Sequence, residues 1–264
     1  MLSWAYHTAG REGTAMRIVV AVALHKPSPL PQDALYLPVQ AGAALHPPVP
    51  GALPDDSGQH ISPRNPLYCE LTAHYWLWKQ SDAEGCGLCH YRRYFTRRPF
   101  ARSLSGVLGE KEAAALLQDA DAIVPFPRLY LIETNASHFA HAHGAAPLAL
   151  ARETVRRQCP AYLPAFDRVM KRRWGRRFNM LIMRRACFNA YSAWLFGILG
   201  EVEEQLGSGA QERILGFLAE RLLDVWLEHE RPRLRQLRVM HTESQHWPRK
   251  IAGFLKRKFM TKCK

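Results

Sequence analysis

Residues 87–95, GLCHYRRYF, end in a group of side chains that is suited to binding an anion. The run starts as an apolar strand and finishes with His90, Tyr91, Arg92 and Arg93. Arginine presents a planar set of donors that matches phosphate oxygens, and it stays charged at any working pH. A tyrosine beside it could stack on a base or a sugar. The run therefore predicts a pyrophosphate clamp, although side chains at the end of a strand can also simply face solvent.

A second group of polar side chains, Asn65, Tyr68 and Glu70, lies at the predicted start of a helix in NPLYCELTAHYWLWK. Asn65 is a good N-cap residue, and Pro66 suits the first helical position. The loop DDSGQHIS lies just before, so the positive end of the helix dipole would favour an anion or a sugar here. Ordinary capping accounts for Asn65 equally well.

A sheet has to position these groups. The run Ile18 to Leu24 is apolar and rich in β-branched residues, which predicts a central strand that is buried on both faces. This strand ends at His25 and Lys26, and a later apolar strand ends in the loop 125–128. Ligands of α/β folds bind beyond the carboxyl ends of the strands. We therefore expect these loops and the arginine motif to share one edge of the sheet and to bind phosphate.

The remaining periodicity predicts an α/β fold in one domain, residues 16–240, with a mostly parallel central sheet flanked by helices. Strands are expected within 33–45, 86–95, 121–127 and 178–185, and helices over 65–79, 110–120, 138–158, 162–173, 186–206 and 213–230. The segment 46–66 is rich in Pro, Gly, Asp and Ser, so it is expected to be a long loop.

The chain is strongly basic, with 36 Lys and Arg against 23 Asp and Glu and a formal net charge of +13. Such an excess favours a polyanionic partner, which leaves nucleic acid, a phosphorylated metabolite and an anionic membrane as candidates. No helix-turn-helix, zinc-finger or RNP-type pattern is apparent, which argues against nucleic acid. We keep a nucleic-acid-binding protein as the alternative from a different functional class.

Two patterns that resemble metal sites are better explained otherwise. The histidines at 138, 141 and 143 follow Glu133 without an HExxH pattern, so sugar contacts or acid–base chemistry are favoured over a metal. The pair Asp119 and Asp121 resembles a DxD motif but precedes an apolar strand, so we interpret it as a helix-to-strand turn. The pair Cys86 and Cys89 has no second ligand pair and is interpreted as buried thiols.

Both ends of the chain are expected to lie outside the folded domain. Residues 1–15 show no periodicity, so they are predicted to be a disordered leader, with a true start at Met16 as the alternative. Residues 241–264 form a basic tail, and Trp247 to Lys264 places apolar residues on one helical face surrounded by Lys and Arg. That pattern is typical of a helix that lies in an anionic membrane surface. The alternatives are a tail helix that packs on the domain and a disordered basic end. The basic stretch 167–177 is a solvated face or a second contact for phosphate or membrane.

The motifs DDSGQHISPRNPLYCELTAHYWLWK, GLCHYRRYF, DAIVPFPR, IETNASHFAHAHG, FNMLIM and RILGFLAERLLDVWL together resemble the DUF4422 family, over roughly residues 17–239. The family comprises bacterial proteins linked to capsule, exopolysaccharide and O-antigen synthesis. The resemblance implies a GT-A-like nucleotide-diphospho-sugar transferase fold and hexose transfer, with a galactose-type sugar favoured. The donor would be a nucleotide sugar, UDP-linked by expectation, and the acceptor a lipid-linked glycan. The protein would then be cytoplasmic and peripheral on the inner face of the bacterial membrane.

Residue type and family motif together assign three groups of site residues. We assign donor binding to His25, Lys26, Asn65, Tyr68, Glu70, His90, Tyr91, Arg92 and Arg93. Glu133 is the first candidate for the catalytic base, with His138 and Glu220 as alternatives, and His141, His143 and Asn179 are assigned to the acceptor. No metal ligand and no required cofactor are expected, and any dependence on Mn²⁺ or Mg²⁺ is expected to be weak.

One loop departs from the family pattern, which usually reads close to DNTGDNIS. Here Gln59 replaces an acidic residue and His60 replaces an asparagine. If that acid contacts donor or metal, this chain handles the contact differently. The change is the one feature that favours a non-catalytic scaffold as a further alternative.

Overall fold

The computed structural model describes residues 16–243. The predicted leader, residues 1–15, and the amphipathic segment Trp247–Lys264 lie outside the described residues. The predicted tail therefore enters the described part only through its first three residues, and His241 ends a strand. Within residues 16–243, no helix is both long enough and apolar enough to cross a membrane.

The helices and strands follow one another in an α/β order close to the predicted one. The strands are β1 (Ile18–Leu24), β2 (Tyr36–Gln40), β3 (Leu53–Pro54), β4 (Gly85–His90), β5 (Arg93–Thr96), β6 (Ala122–Pro125), β7 (Arg128–Leu129), β8 (Trp174–Gly175), β9 (Leu181–Arg184) and β10 (Leu234–His241). The helices are α1 (Asn65–Tyr68), α2 (Leu71–Gln80), α3 (Glu110–Gln118), α4 (Asn135–His143), α5 (Ala146–Gln158), α6 (Leu163–Lys171), α7 (Arg185–Leu206) and α8 (Ile214–Glu230).

Strand β1 is the buried centre of the fold, as its sequence predicts. Alternate side chains point to opposite faces of a strand, so Val19 and Ala21 join one apolar cluster while Val20 and Val22 join the other. The first cluster lies under α2 and α5 to α8, and the second lies under α3. The sheet is therefore covered on both faces, with most of the helices on one side.

The central sheet is mostly parallel, as predicted, because six of its eight strands point the same way, but it contains two antiparallel strands, β5 and β9. Strand β1 pairs in parallel with β2 and β4, β2 with β3, and β6 with β10. Strand β9 runs antiparallel between β4 and β6, and β5 runs antiparallel to β4 and β10. Because β9 is antiparallel to both of its neighbours, β4 and β6 point the same way as β1. The carboxyl ends of β1, β4 and β6 consequently meet at one edge, as expected.

Three predicted elements are broken or paired differently in the structure. Residues 86–95 form two antiparallel strands, because the chain turns at Tyr91 and Arg92. The helix predicted over 65–79 is interrupted at Cys69, whose φ is 52°. The helix predicted over 138–158 ends at Gly144, whose φ of 81° suits a residue without a Cβ.

Two smaller interpretations of the sequence are confirmed. Asp119 and Asp121 form the turn between α3 and β6, and Asp121 pairs with Arg233 at 3.0 Å. Cys86 and Cys89 are free thiols buried in β4. Burial raises the pKa of Cys89, which is consistent with an unreactive packing role.

Candidate active site

A cavity of about 300 Å³ opens where β4 ends at the carboxyl edge of the sheet. Five separate segments of the chain contribute to its wall. The lining residues are Cys69, Glu70, His90, Arg92, Arg93, His138, Ala142, His143, Arg177, Phe178, Arg213, Gly216, Phe217, Glu220 and Arg221. This convergence of loops and helix ends at one sheet edge is the usual setting for a ligand site in α/β folds.

The β4–β5 hairpin supplies the first side of the cavity. Its turn is short because His90 pairs directly with Arg93, and the ring Nδ1 of His90 accepts the backbone N–H of Arg92 at 3.2 Å. Burial, together with the nearby arginines, lowers the pKa of His90 to about 3, so this imidazole is neutral at pH 7. The guanidinium of Arg93 lies 4.3 Å from the ring centre of Phe178. Arg92 is half-exposed and pairs with Glu243 at 3.3 Å.

The loop after β1 reaches the same hairpin, as the sequence predicts. The ring of His25 lies edge-on to Tyr91 at 5.4 Å, and Lys26 lies 5.6 Å from the same ring. Tyr91 is buried, so it supports the hairpin while the two basic residues stay near the surface. His25, Lys26 and Tyr91 border the cavity without lining it.

The break between α1 and α2 carries Glu70 into the cavity wall. The side chain of Asn65 holds this break, because its Nδ2 donates to the carbonyl of Cys69 at 2.8 Å. Asn65 is therefore a brace inside the turn, and its predicted role as N-cap is wrong, since Arg64 occupies that position without a side-chain cap. Tyr68 points away from the cavity and donates its hydroxyl to Glu203 at 2.9 Å.

Glu70 is held from below by Asn179. The Nδ2 of Asn179 donates to Oε1 of Glu70 at 2.9 Å and to the carbonyl of Gly216 at 3.0 Å. The second oxygen of Glu70 makes no hydrogen bond to another side chain within residues 16–243. Burial raises the pKa of Glu70, and the nearby carboxylate of Glu220 acts in the same direction. A carboxyl group with a raised pKa and one unoccupied oxygen is suited to exchanging a proton.

Glu220 has a different role because both of its oxygens are occupied. Oε1 accepts the backbone N–H of Phe178 at 2.8 Å, and Oε2 accepts from Arg221 at 2.8 Å. Phe178 has a φ of 81°, an unusual value for a residue with a side chain. Glu220 thus stabilises the strained turn that places Arg177 and Phe178 in the cavity wall.

His138 lies between two guanidinium groups. Arg177 contacts its Nε2 at 2.7 Å and Arg221 contacts its Nδ1 at 3.2 Å. Because arginine only donates, the closer contact makes Nε2 the acceptor and leaves the ring neutral. Burial and the two arginines lower the pKa of His138 to about 4. Its lone pair is already used, so His138 is better placed to orient Arg177 than to act as a base.

The other sequence-assigned histidines separate in space. His143 lines the cavity and stacks on Phe217 at 4.1 Å, and its Nδ1 is buried without a partner among the described residues. His141 is 73% exposed and contacts Glu133 at 2.6 Å. That pair lies outside the cavity, so Glu133, the first candidate base from the sequence, does not line the site.

The charge of the cavity wall is unbalanced. Five arginines, at 92, 93, 177, 213 and 221, face two carboxylates, those of Glu70 and Glu220. The Nε atoms of four of these arginines, 92, 93, 177 and 221, are buried with no hydrogen-bond partner within residues 16–243. Guanidinium groups form strong, often bidentate, hydrogen bonds with the oxygens of phosphate and carboxylate groups. The excess of arginines in the cavity wall therefore favours an anion with several oxygens.

A second cavity of about 250 Å³ adjoins the first, because Arg177 and Phe178 line both. Pro125, Phe126 and Arg128, from the end of β6 onward, form one wall, and Arg238 and Val239 of β10 form another. The third predicted loop, 125–128, thus reaches the same region as the arginine motif.

Within residues 16–243, no group of three His, Cys, Asp or Glu side chains is arranged to hold a metal ion.

The altered loop DDSGQHIS packs away from the cavity. Asp55 is fully buried and accepts the backbone N–H groups of Gly42 and Ala43, both at 3.0 Å. Ser57 accepts from the indole of Trp76 at 2.9 Å, in the second half of α2. Gln59 is exposed, and neither it nor His60 lines either cavity. The departure that favours a scaffold therefore lies outside the candidate site.

Sequence reasoning missed the contribution of α8 and of the turn before β9. Arg213, Phe217, Glu220 and Arg221 recur about one helical turn apart, which places them on one face of the start of α8. Of these, the sequence marks only Glu220 as a candidate. Arg177 stands out in the sequence only as a member of the basic stretch 167–177. The clustering of polar residues on an otherwise apolar helix was the available signal.

Known proteins provide an independent comparison. The family model described as a domain of unknown function, DUF4422, matches residues 19–231. The chain is also similar to a solved structure, the apo form of the bifunctional glycosyltransferase WbbM, with a TM-score of 0.77 and 26% sequence identity. The match covers 86% of this chain and 46% of that one, so the chain spans about half the length of WbbM. No curated protein matches the chain.

Proposed function

We propose that this chain, which belongs to the DUF4422 family, is a glycosyltransferase that uses a nucleotide-sugar donor. The family match and the likeness to a bifunctional glycosyltransferase support this class of activity. The observation that carries the proposal is the cavity itself, whose wall contains five arginines and two glutamates. A nucleoside diphosphate would supply the negative charge that this wall lacks.

The donor diphosphate is proposed to lie against the β4–β5 hairpin. Arg92 and Arg93 come from the turn, Lys26 lies beside it, and Arg177 approaches from the turn before β9. When the sugar leaves, negative charge develops on the departing phosphate. Fixed positive groups stabilise that charge without reorganising, which lowers the barrier to transfer.

Glu70 is the proposed catalytic base, in place of Glu133. In an inverting reaction, the acceptor hydroxyl oxygen forms a bond to the anomeric carbon while the bond to the phosphate oxygen breaks. The hydroxyl proton passes to Glu70, whose second oxygen is unoccupied and whose pKa is raised by burial. Asn179 positions this carboxylate from behind, so it acts as a positioning residue.

We further propose a hexose of the galactose type, UDP-linked, as the donor sugar and a lipid-linked glycan of capsule, exopolysaccharide or O-antigen synthesis as the acceptor. His143 and the second cavity are available to the acceptor, since both adjoin the proposed donor site. A location on the inner face of the membrane, with the segment Trp247–Lys264 as an anchor, fits a lipid-linked acceptor. Metal dependence is expected to be weak because arginines surround the proposed diphosphate site.

A thermal-shift screen against nucleotide sugars tests the donor, followed by transfer to a short lipid-linked glycan. UDP-hexoses are expected to raise the melting temperature more than other nucleotide sugars, because ligand binding to the folded state stabilises it. Activity should persist in EDTA. Complete loss of activity in EDTA with recovery on adding Mn²⁺ would show that the arginines do not replace a metal. No shift with any nucleotide sugar would contradict the proposed function.

A further inference from the structure

The segment 126–132 presents large apolar side chains to solvent at the mouth of the second cavity. Phe126 is 54% exposed, Leu129 69%, Leu131 83% and Ile132 60%. Single exposed apolar residues are common on protein surfaces, but a contiguous group beside a cavity usually marks a contact surface. Four such residues within seven positions therefore indicate a surface that contacts another molecule.

This group is held in place by a two-stranded ribbon. Strands β7 and β8 pair antiparallel, with Leu129 opposite Trp174. Tyr130 anchors the end of β7, because its backbone N–H donates to the carbonyl of Arg173 at 2.8 Å and its buried ring stacks on His138 at 4.7 Å. The apolar side chains are consequently presented by a fixed turn that rests on the wall of the candidate site.

Positive charge surrounds the apolar ribbon. Lys171 and Arg173 are exposed directly before β8. The neighbouring carboxylates are already occupied, since Glu228 pairs with Arg168 and Arg172, and Glu133 contacts His141. An apolar tip ringed by cations complements a surface with an apolar interior and anionic headgroups.

We propose that the β7–β8 ribbon, residues 126–132 and 171–175, is a contact surface for an anionic lipid bilayer. The apolar side chains would enter the headgroup boundary while the cations meet the lipid phosphates. The ribbon lies at the second cavity, so bilayer contact would hold that cavity at the membrane surface. This inference goes beyond the proposed transferase activity, because it concerns a surface that needs neither donor nor turnover.

The test is sedimentation of the full chain with vesicles, using variants matched for exposure. The vesicles contain phosphatidylcholine alone or with phosphatidylglycerol. Leu131 has a φ of 47°, a backbone conformation that asparagine accepts readily, so Leu131→Asn should fold normally. Phe100 is 86% exposed on the loop after β5, which makes Phe100→Asn the control.

The parent is expected to bind the anionic vesicles, less tightly as salt rises, and to bind neutral vesicles weakly. Leu131→Asn should weaken binding about threefold, and Leu129→Ser/Leu131→Asn/Ile132→Ser about tenfold or more, because less apolar surface is buried. Phe100→Asn should bind as the parent does. UDP binding in solution should be unchanged in every variant, which shows that the fold is intact and separates this result from a failure of the proposed function.

Equal vesicle binding by the parent and the triple variant would overturn the proposal, as would no binding by the parent. A parent that dimerises, with dimerisation but not vesicle binding lost in the triple variant, would also overturn it by showing that the ribbon contacts a second copy.

Discussion

Arginines in two regions of the molecule have different partners. On the outer helical layer several are matched to carboxylates, as where Arg152 pairs with Asp167 at 2.7 Å and Arg168 with Glu228 at 3.0 Å. In the cavity, Arg93 has no ion pair among the described residues, and Arg177 faces the neutral ring of His138. The positive charge of the cavity wall is therefore only partly compensated by the carboxylates around it.

Arg176 and Arg177 show the same contrast within two consecutive residues. Arg176 is buried and pairs with Asp224, which also accepts its backbone N–H at 2.7 Å. Arg177 points the other way, into both cavities. A run of basic residues thus divides into one side chain that supports the fold and one that is available to an anion.

The largest expected effect comes from Glu70, because its second oxygen, unlike those of Glu220, accepts no side-chain hydrogen bond within residues 16–243. Glu70→Gln should lower turnover by about 10²- to 10⁴-fold, the usual contribution of a general base, while donor affinity stays close to that of the parent. Steady-state kinetics and calorimetric donor titration measure the two effects separately. Glu133→Gln is the control and should retain parental turnover, because Glu133 lies outside the cavity. Loss of turnover in Glu133→Gln but not in Glu70→Gln would instead identify Glu133, the base predicted from the sequence.

Substitution of Arg176 should mainly lower the stability of the fold, whereas substitution of Arg177 should mainly weaken UDP binding. Arg176→Met should lower the free energy of unfolding by about 3–5 kcal/mol, because it leaves Asp224 buried without its partner. Arg177→Met should leave that free energy nearly unchanged and should weaken binding of UDP. Urea denaturation and calorimetry on both variants check this division. Similar losses of stability in the two would remove the distinction between the regions.

A smaller effect is expected from Arg93. Arg93→Met should weaken UDP binding by about 1.5–3 kcal/mol, the range for hydrogen bonds to charged groups. Arg152→Met on the outer layer is the matched control. It should leave UDP binding unchanged, because Arg152 and its partner Asp167 form an exposed ion pair and neither residue lines the cavity. Equal UDP affinity in the parent and Arg93→Met would place the diphosphate elsewhere.

The order of elements and the edge of the sheet could be predicted from sequence because apolar periodicity reports burial directly. The turn at Tyr91 and Arg92 could not, since aromatic and apolar residues continue through it. The break at Cys69 depends on a side-chain bond from Asn65 that composition does not reveal. Strand β10 has mostly exposed or half-buried residues, so it lacks the alternation that marks a strand. Glu133 was chosen for its residue type, and only the fold shows that it pairs with His141 outside the cavity.

An effect that depends on pH is expected from histidines that are neutral for different reasons. His74 is buried against Phe188 and Ser192, and burial lowers its pKa to about 3. Its pKa in the unfolded chain is near 6.5, so the unfolded state takes up the proton first. Stability is therefore complete above about pH 6.5 and falls as the pH drops toward 3, by up to about 1.4 kcal/mol per pH unit for this group. Thermal unfolding measured between pH 7 and 5 checks this loss of stability. In His74→Phe, the stability should depend less steeply on pH.

The pKa of His138 should change when ligand binds, whereas the pKa of the buried His74 should not. An anion in the cavity would offset the two arginines that lower the pKa of His138, so bound UDP should raise that pKa. Titration of the ring nitrogens by NMR, with and without UDP, gives both values. An unchanged pKa for His138 in the presence of bound UDP would indicate that the nucleotide lies away from Arg177 and Arg221.

The most direct test of the central claim is calorimetric titration of the full chain at physiological salt with UDP and with uridine. The excess of arginines over carboxylates in the cavity wall predicts that UDP binds at least tenfold more tightly than uridine, because the diphosphate carries the negative charge, and that Arg177→Met removes most of this difference. Equal affinity for uridine and UDP, or a difference that Arg177→Met leaves intact, would contradict the assignment of the cavity as a diphosphate site.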